Sequence, residues 1–141
     1  MSTLSCFLSQ NAKKVENIKL VVSKRFVDKG KPVEWELRAL TSEEDEQLRK
    51  SCTKRVPVPG KRGQFTQELD SDLYIGKMAA SCTVFPNLND KELQDSYGVL
   101  SADVLLKRML APGEYAEYLG KVQEVNGYDV DFNDKVEEAK N

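Results

Sequence analysis

The chain has 141 residues, of which 40% are hydrophobic and 31% are charged, and its formal net charge is −2. This length and mixture predict one soluble globular domain, and a charge so near zero gives no general attraction to nucleic acid or to a membrane surface. The sequence has no histidine, and its three cysteines lie far apart. These counts exclude Ser-His and Cys-His nucleophilic pairs and argue against a zinc site or a disulfide framework. We therefore expect no cofactor and no metal, and we expect no membrane span because no apolar run approaches the roughly 20 residues that one needs.

The first third of the chain predicts an arm followed by a β-hairpin. Residues 6–12 have the character of a short helix or arm that Phe7 and Leu8 can anchor. Strands are expected near 18–27 and 33–40, because apolar and polar residues alternate there with a period of two. The turn "DKGK" joins them, and the second strand places Trp35 in the core.

Five short helices are predicted after the hairpin, each from an apolar stripe and its terminal signals. Their expected ranges are 41–53, 71–85, 89–97, 101–110 and 112–127. The first begins with a capping box formed by Thr41 and Glu44, and the third is expected to begin at Asn89. Pro86 is expected to end the second helix, and Pro112 suits the first position of the fifth.

The whole pattern predicts an α+β fold, which is a mostly helical cluster of about five short helices with an N-terminal β-hairpin. Residues 1–128 are expected to form a single domain. The acidic tail 129–141 has few apolar residues and is expected to be frayed or disordered.

The segment 54–70 is predicted to be an extended loop or an irregular hairpin, because two prolines and two glycines interrupt any helix. It belongs to a stretch, from Gln47 to Gln67, that holds basic residues and no acid. Four of them are candidate partner-binding residues: Arg49, Lys54, Lys61 and Arg62. The alternative is a solvated loop that balances the acids of the preceding helix, and thin aromatic content does not favour a nucleic-acid site.

Three further patterns do not amount to a site. Glu34 and Glu36 share one strand face and can form a carboxylate pair, but such residues are usually the solvent side of a strand. The stretch "PGKRGQ" lacks the glycine spacing and the Lys-Ser/Thr pair of a phosphate loop. The acids near residue 90 lack the ligand spacing of a calcium loop, and helix capping explains them better.

Several stretches of the chain, however, resemble one protein family. They are "VVSKRFVDKGKPVEWELRALT", "LRKSCTK", "PNLNDKELQDSYG" and "LLKRMLAPGEYAEYLGKVQEVNGYD". They are similar to the XkdN-like tail assembly chaperones of long-tailed phages and defective prophages of Gram-positive bacteria. The resemblance runs from about Phe7 to Asp129, and the last block is its most specific part.

The resemblance implies a non-enzymatic cytoplasmic chaperone that binds the tape measure protein and is absent from the finished virion, with the tail tube protein as a second expected partner. A groove between helices that takes an amphipathic segment would suit that role. Exposed apolar and tyrosine positions, Tyr118 among them, are then expected to matter more than the basic residues, and a homo-oligomer is possible. Two alternatives stay open: a nucleic-acid-binding or regulatory phage protein that uses the basic segment 49–62, and an enzyme with a carboxylate mechanism.

Overall fold

The computed structural model describes residues 3–128 and confirms the α+β class, with five α-helices and three small antiparallel sheets in that range. The helices are α1 (Ser42–Ser51), α2 (Ser71–Cys82), α3 (Lys91–Tyr97), α4 (Ala102–Met109) and α5 (Pro112–Val125). The strands are β1 (Ile18–Leu20), β2 (Val27–Asp28), β3 (Lys31–Pro32), β4 (Trp35–Leu37), β5 (Thr53–Pro57), β6 (Phe65–Leu69) and β7 (Thr83–Phe85). A 3-10 helix, Thr3–Phe7, precedes them. The predicted tail at 129–141 lies outside the described residues.

The central sheet has the strand order β1-β4-β7, and both pairings are antiparallel. Leu20 pairs with Trp35 and Ile18 with Leu37, so the predicted pairing of the first hairpin is confirmed at its core. Trp35 is 2% exposed, as predicted, and Leu37 is fully buried. The third strand, β7, was not predicted.

The predicted strand 18–27 is wrong as a single element, because the chain leaves the sheet after Leu20. The backbone N–H of Arg25 donates to the hydroxyl of buried Ser23 at 3.2 Å, a local bond that competes with strand pairing. The chain then forms the separate two-stranded ribbon of β2 and β3. Lys29 and Gly30 in its turn have φ angles of 51° and 80°, which agrees with the predicted glycine turn.

The second predicted helix is wrong over its last three residues, which form β7 instead. A residue before proline is disfavoured in the helical region, which affects Phe85, and the branched side chains of Thr83 and Val84 suit a strand. The exposed edge of β4 supplies the partner for this segment. The helix therefore ends three residues before the predicted boundary. Phe85 faces solvent, with 51% of its surface exposed.

The N-cap of α1 is the residue that the sequence predicts, whereas the N-cap of α3 lies one residue after the predicted one. The Thr41 hydroxyl accepts from the Glu44 N–H at 3.1 Å, and the Glu44 carboxylate accepts from the Thr41 N–H at 3.0 Å, so the predicted capping box is confirmed. The prediction that Asn89 caps α3 is wrong. Its own N–H is held by the Asn87 side chain at 3.1 Å, and Asp90 accepts from the N–H three residues on at 2.9 Å.

Residues 53–69 form a regular five-pair hairpin, which settles the two alternatives for this segment in favour of a hairpin. Its register runs from Thr53 opposite Leu69 to Pro57 opposite Phe65. The Arg55 guanidinium lies 4.0 Å from the centroid of the Phe65 ring. The hairpin pairs mainly with itself, and most of its side chains are exposed.

The buried apolar side chains form one cluster, built where α2, α4 and α5 meet the central sheet. Its large, fully buried side chains are Trp35, Leu37, Cys82, Leu88, Leu105, Leu106, Tyr118 and Val122. The arm at the beginning of the chain does not join this core. Phe7 is 77% exposed and Leu8 is 42% exposed, so the prediction that they anchor the arm is wrong.

Acid is expected to weaken the start of α1. Hydrogen bonds from Arg38 and from the Thr41 N–H lower the pKa of Glu44 to about 2, from an ordinary value of 4.5. Because the folded pKa is the lower one, this contribution to stability is complete above about pH 5 and is lost as pH falls towards 2. The free energy of unfolding, measured in urea, should therefore differ less between pH 7 and pH 3 for Glu44→Gln than for the unmodified protein. An equal difference for the two proteins would contradict this.

Candidate functional site

The two candidate catalytic carboxylates do not form a pair directed at a cleft. Glu34 is exposed, whereas half-buried Glu36 accepts from the Asn17 side chain at 2.9 Å and lies 3.8 Å from the Lys19 ammonium. Glu36 therefore lies on the outward face of β4, opposite Trp35 and Leu37, and Glu34 precedes the strand in an exposed position. Among residues 3–128, no group of three or more His, Cys, Asp or Glu side chains is placed to hold a metal ion. Nor is any helix in that range long and apolar enough to cross a bilayer.

The four basic candidates are divided between the base and the tip of the β5–β6 hairpin. Arg49 and Lys54 lie at the base, and Lys54 is 3.9 Å from the Asp70 carboxylate. Lys61 and Arg62 are exposed in the turn. At about 3.3 Å per strand residue, Lys54 and the turn are roughly 20 Å apart. The structure therefore does not bring the four together, and their part in binding stays a prediction.

Arg49 is already engaged within the fold. Its guanidinium lies 3.0 Å from the Asp45 carboxylate and 4.6 Å from the centroid of the Tyr74 ring. Burial alone would raise the pKa of Asp45, but hydrogen bonds from the Tyr74 hydroxyl and Arg49 hold that pKa below its ordinary value. Burial and the same carboxylate raise the pKa of Tyr74. This cluster joins α1 to α2, and it gives Arg49 a structural role.

Tyr118 is part of the core and presents no surface to a partner. It is 1% exposed, its ring meets the Trp35 ring edge-on at a centroid distance of 5.4 Å, and its hydroxyl is hydrogen-bonded to Thr83. Burial raises its pKa. The apolar stripe of α5 faces the sheet, so the proposed contact of Tyr118 with a partner is corrected to a packing role.

A depression lined mainly by apolar side chains lies beside the central sheet, and we call it the apolar groove. Its volume is about 400 Å³, within the usual range of ligand pockets. It is lined by Arg25, Phe26, Val27, Val33, Trp35, Phe85, Pro86, Leu93 and Met109. Trp35 and Met109 are buried at its floor, whereas Val27 and Phe85 at its rim are 54% and 51% exposed. Large apolar side chains are thus left partly open to water at one place.

Elements from distant parts of the sequence build this groove. The Phe26 and Trp35 rings meet at a centroid distance of 6.1 Å, and the Phe26 carbonyl accepts from the Val33 N–H at 2.9 Å. β7 contributes Phe85 to the lining of the groove, and α3 and α4 contribute Leu93 and Met109. The sequence prediction missed the groove because it placed Phe85 at the end of the second predicted helix, 71–85. The run Val84-Phe85-Pro86 was the available signal, since it favours extended backbone.

The charge beside the groove is neutralised within the protein. The guanidinium of Arg25 donates to the Met109 carbonyl and, at 3.0 Å, to the Glu114 carboxylate, and it lies 5.2 Å from the centroid of the Phe26 ring. Hydrogen bonds from the Ser23 hydroxyl, the N–H of residue 111 and Arg25 lower the pKa of Glu114 to about 2, so the pair stays ionised at neutral pH. The groove therefore offers an apolar surface with one fixed ion pair, which suits an apolar segment of another chain better than a charged ligand.

Comparison with known proteins gives consistent results over nearly the whole chain. A family model described as phage XkdN-like tail assembly chaperone protein matches residues 4–140. Two proteins of Bacillus subtilis strain 168 are similar to the chain over 140 residues: YqbN at 39% identity and the phage-like element PBSX protein XkdN at 37%. Each alignment covers 98% of this chain and 93% of the relative. The crystal structure of the protein YqbN is similar with a TM-score of 0.77 and 33% identity, and it covers 92% of this chain and 99% of that chain.

Proposed function

Because the chain belongs to the phage XkdN-like tail assembly chaperone family, we propose that it binds the tape measure protein and keeps it soluble during assembly of a long tail. Tape measure proteins are long and helical, and their apolar stripes need cover until tail tube subunits surround them. The tail tube protein is a second proposed partner. We place this activity in the cytoplasm of the bacterial host, without catalysis, and expect the chaperone to be absent from the mature virion.

The observation that carries this proposal is the apolar groove. An amphipathic helix binds a partner by placing its apolar side chains, three and four residues apart, in a hydrophobic depression. Trp35 and Met109 form a buried apolar floor that such side chains can contact. The exposed rim residues Val27 and Phe85 would be covered on binding. A site of this size supports modest affinity for one segment, and several copies along one tape measure would raise the overall affinity. Modest affinity at each site also permits release when the tube is built.

Co-expression tests the proposal directly. The cognate tape measure protein is produced with this chain, or with an unrelated protein of similar size, and its soluble fraction is measured after lysis. We expect this chain to raise the soluble fraction several-fold and to co-purify with the tape measure through a tag on either protein. An unchanged soluble fraction without co-purification would refute the proposal.

A further inference from the structure

The arm, residues 3–12, is locally ordered but buries almost nothing. The N–H of Leu8 bonds to the Ser5 carbonyl at 3.3 Å, and those of Asn11 and residue 12 bond to the Leu8 carbonyl at 2.9 and 2.8 Å. The 3-10 helix within the arm has no buried residue. Leu4 and Phe7 are 66% and 77% exposed, and side chains three residues apart share one face of a 3-10 helix. The arm is therefore a preformed apolar projection.

The same molecule has both this projection and a depression of complementary chemistry. We infer that the arm of one copy docks in the apolar groove of a second copy, and that the exchange is reciprocal, giving a two-fold symmetric dimer. Phe7 is the central anchor, placed against the Trp35 floor between Val27 and Phe85. Uncharged residues occupy the whole arm, which suits a groove whose own charge, Arg25, is already paired with Glu114.

The position of the arm favours a second copy over the arm's own groove. Ile18 pairs with Leu37 and Leu20 with Trp35, so the chain enters β1 at the Leu37 end of β4 and runs towards the Trp35 end. The groove lies at the Trp35 end, where Phe85 is found beside β4. The arm does not occupy its own groove, because Phe7 is 77% exposed and the residues that line the groove all lie outside the arm. Asn17 is fixed to the sheet by its bond to Glu36 at 2.9 Å.

The area available suits a weak, transient dimer. A buried phenylalanine removes about 150–250 Å² from water, and Phe7, Leu4 and Leu8 together offer roughly 300 Å² per arm. The two arms together therefore remove on the order of 600 Å² of their own surface from water, and the groove rims add to this, so the interface is in the size range of weak, transient complexes. Such a dimer is expected to dissociate readily, which lets another apolar segment replace the arm.

The dimer would cover the apolar groove until a client arrives, and that protective role rests on the proposed function. The exchange itself needs no client and is measured with the chaperone alone. A chaperone that dimerises through its arm but does not solubilise the tape measure would refute only the proposed function. One that solubilises it without arm exchange would refute only this inference.

Sedimentation over a concentration series is the first measurement. We expect reversible dimerisation at micromolar concentration, weakened at least about tenfold by Phe7→Asp and likewise by Phe85→Asp. Val15→Asp is the matched control, because Val15 is 70% exposed and lies outside the arm, and it should dimerise normally. A protein that stays monomeric at high concentration, or a Phe7→Asp variant that dimerises as tightly as the unmodified protein, would overturn the inference.

Disulfide trapping then identifies the contact and distinguishes the two copies. Cys6 is exposed within the arm, whereas Cys52 and Cys82 are buried. The unmodified chain is mixed with a differently tagged Cys6→Ser, Val27→Cys variant and oxidised, and a mixed disulfide-linked dimer is expected. The same mixture with Leu100→Cys in place of Val27→Cys should give little product. Equal trapping at both positions would overturn the inference.

Oxidation of a single chain carrying Cys6 and Val27→Cys should give linked dimers, and a purely intramolecular disulfide would show that the arm closes its own groove instead.

Discussion

Replacing Val27 and Phe85 with aspartate together is expected to abolish the rise in soluble tape measure protein. Both side chains stand at the rim of the apolar groove, about half exposed, so the fold does not depend on burying them. Because each side chain is already about half buried, covering the rest contributes roughly 0.7–1.5 kcal/mol per side chain, and introducing two carboxylates beside Trp35 adds a desolvation cost. A loss of several kcal/mol corresponds to an affinity lowered at least about a hundredfold. The measurement is the soluble fraction of tape measure on co-expression, with the circular dichroism spectrum of the variant as a check on folding.

Two further variants test whether the loss is specific to the apolar groove. Leu100→Asp makes the same kind of change at a side chain that is 96% exposed and outside the groove, and it should leave solubilisation intact. Neutralising Arg49, Lys54, Lys61 and Arg62 together should weaken solubilisation only modestly, because exposed ion pairs contribute about 0–1 kcal/mol each. If the basic variant, correctly folded, lost all activity while the groove variant kept it, the β5–β6 hairpin would become the main binding site.

The elements that the sequence predicted well are those determined by neighbouring residues. The capping box of α1 needs only Thr41 and Glu44, three residues apart, and it forms as predicted. The third predicted helix, 89–97, ends where expected, and Gly98 after it takes a φ of 68°, the left-handed conformation that closes a helix. The family resemblance, carried by whole blocks of sequence, is likewise confirmed. Helix caps and long family motifs can therefore both be recognised before the fold is known.

The errors arise where a distant partner decides the local structure. Thr83–Phe85 continues the apolar stripe of α2, and only the free edge of β4, some 46 residues earlier, makes it a strand. The break after Leu20 depends on Ser23 and Arg25, which reach α5 through Glu114. Neither the pairing nor the ion pair can be inferred from residues close in sequence, because both depend on how the helices pack on the sheet.

The candidate site was missed for the same reason. An apolar stripe shows that a helix has a buried face but does not say which of its residues lie at the edge of that face. Tyr118 therefore looked available to a partner and is in fact 1% exposed, whereas Phe85 looked buried and is 51% exposed. The groove exists only once β4, β7, α3 and α4 are assembled, so its lining could not be listed from the sequence.

Trp35→Ala is expected to lower the free energy of unfolding by about 3–5 kcal/mol, the usual cost of removing a large buried aromatic side chain. Trp35 is 2% exposed and lies on the central strand of the sheet. Its ring contacts both Phe26 and Tyr118, at centroid distances of 6.1 and 5.4 Å, so its loss leaves a cavity between the sheet and α5. For a protein whose total stability is of the order of 5–15 kcal/mol, this is a large fraction.

The midpoint of urea unfolding measures this effect, followed by far-UV circular dichroism because Trp35 is the only tryptophan in the chain. Leu100→Ala is the matched control and should change the stability by no more than about 0.5 kcal/mol. A Trp35→Ala change of less than 1 kcal/mol would mean that the ring is not packed as described. Trp35→Phe should keep more of the stability and of the groove floor. Since Trp35 belongs both to the core and to the groove, a Trp35→Phe variant that folds well but solubilises less tape measure would locate the client on this floor.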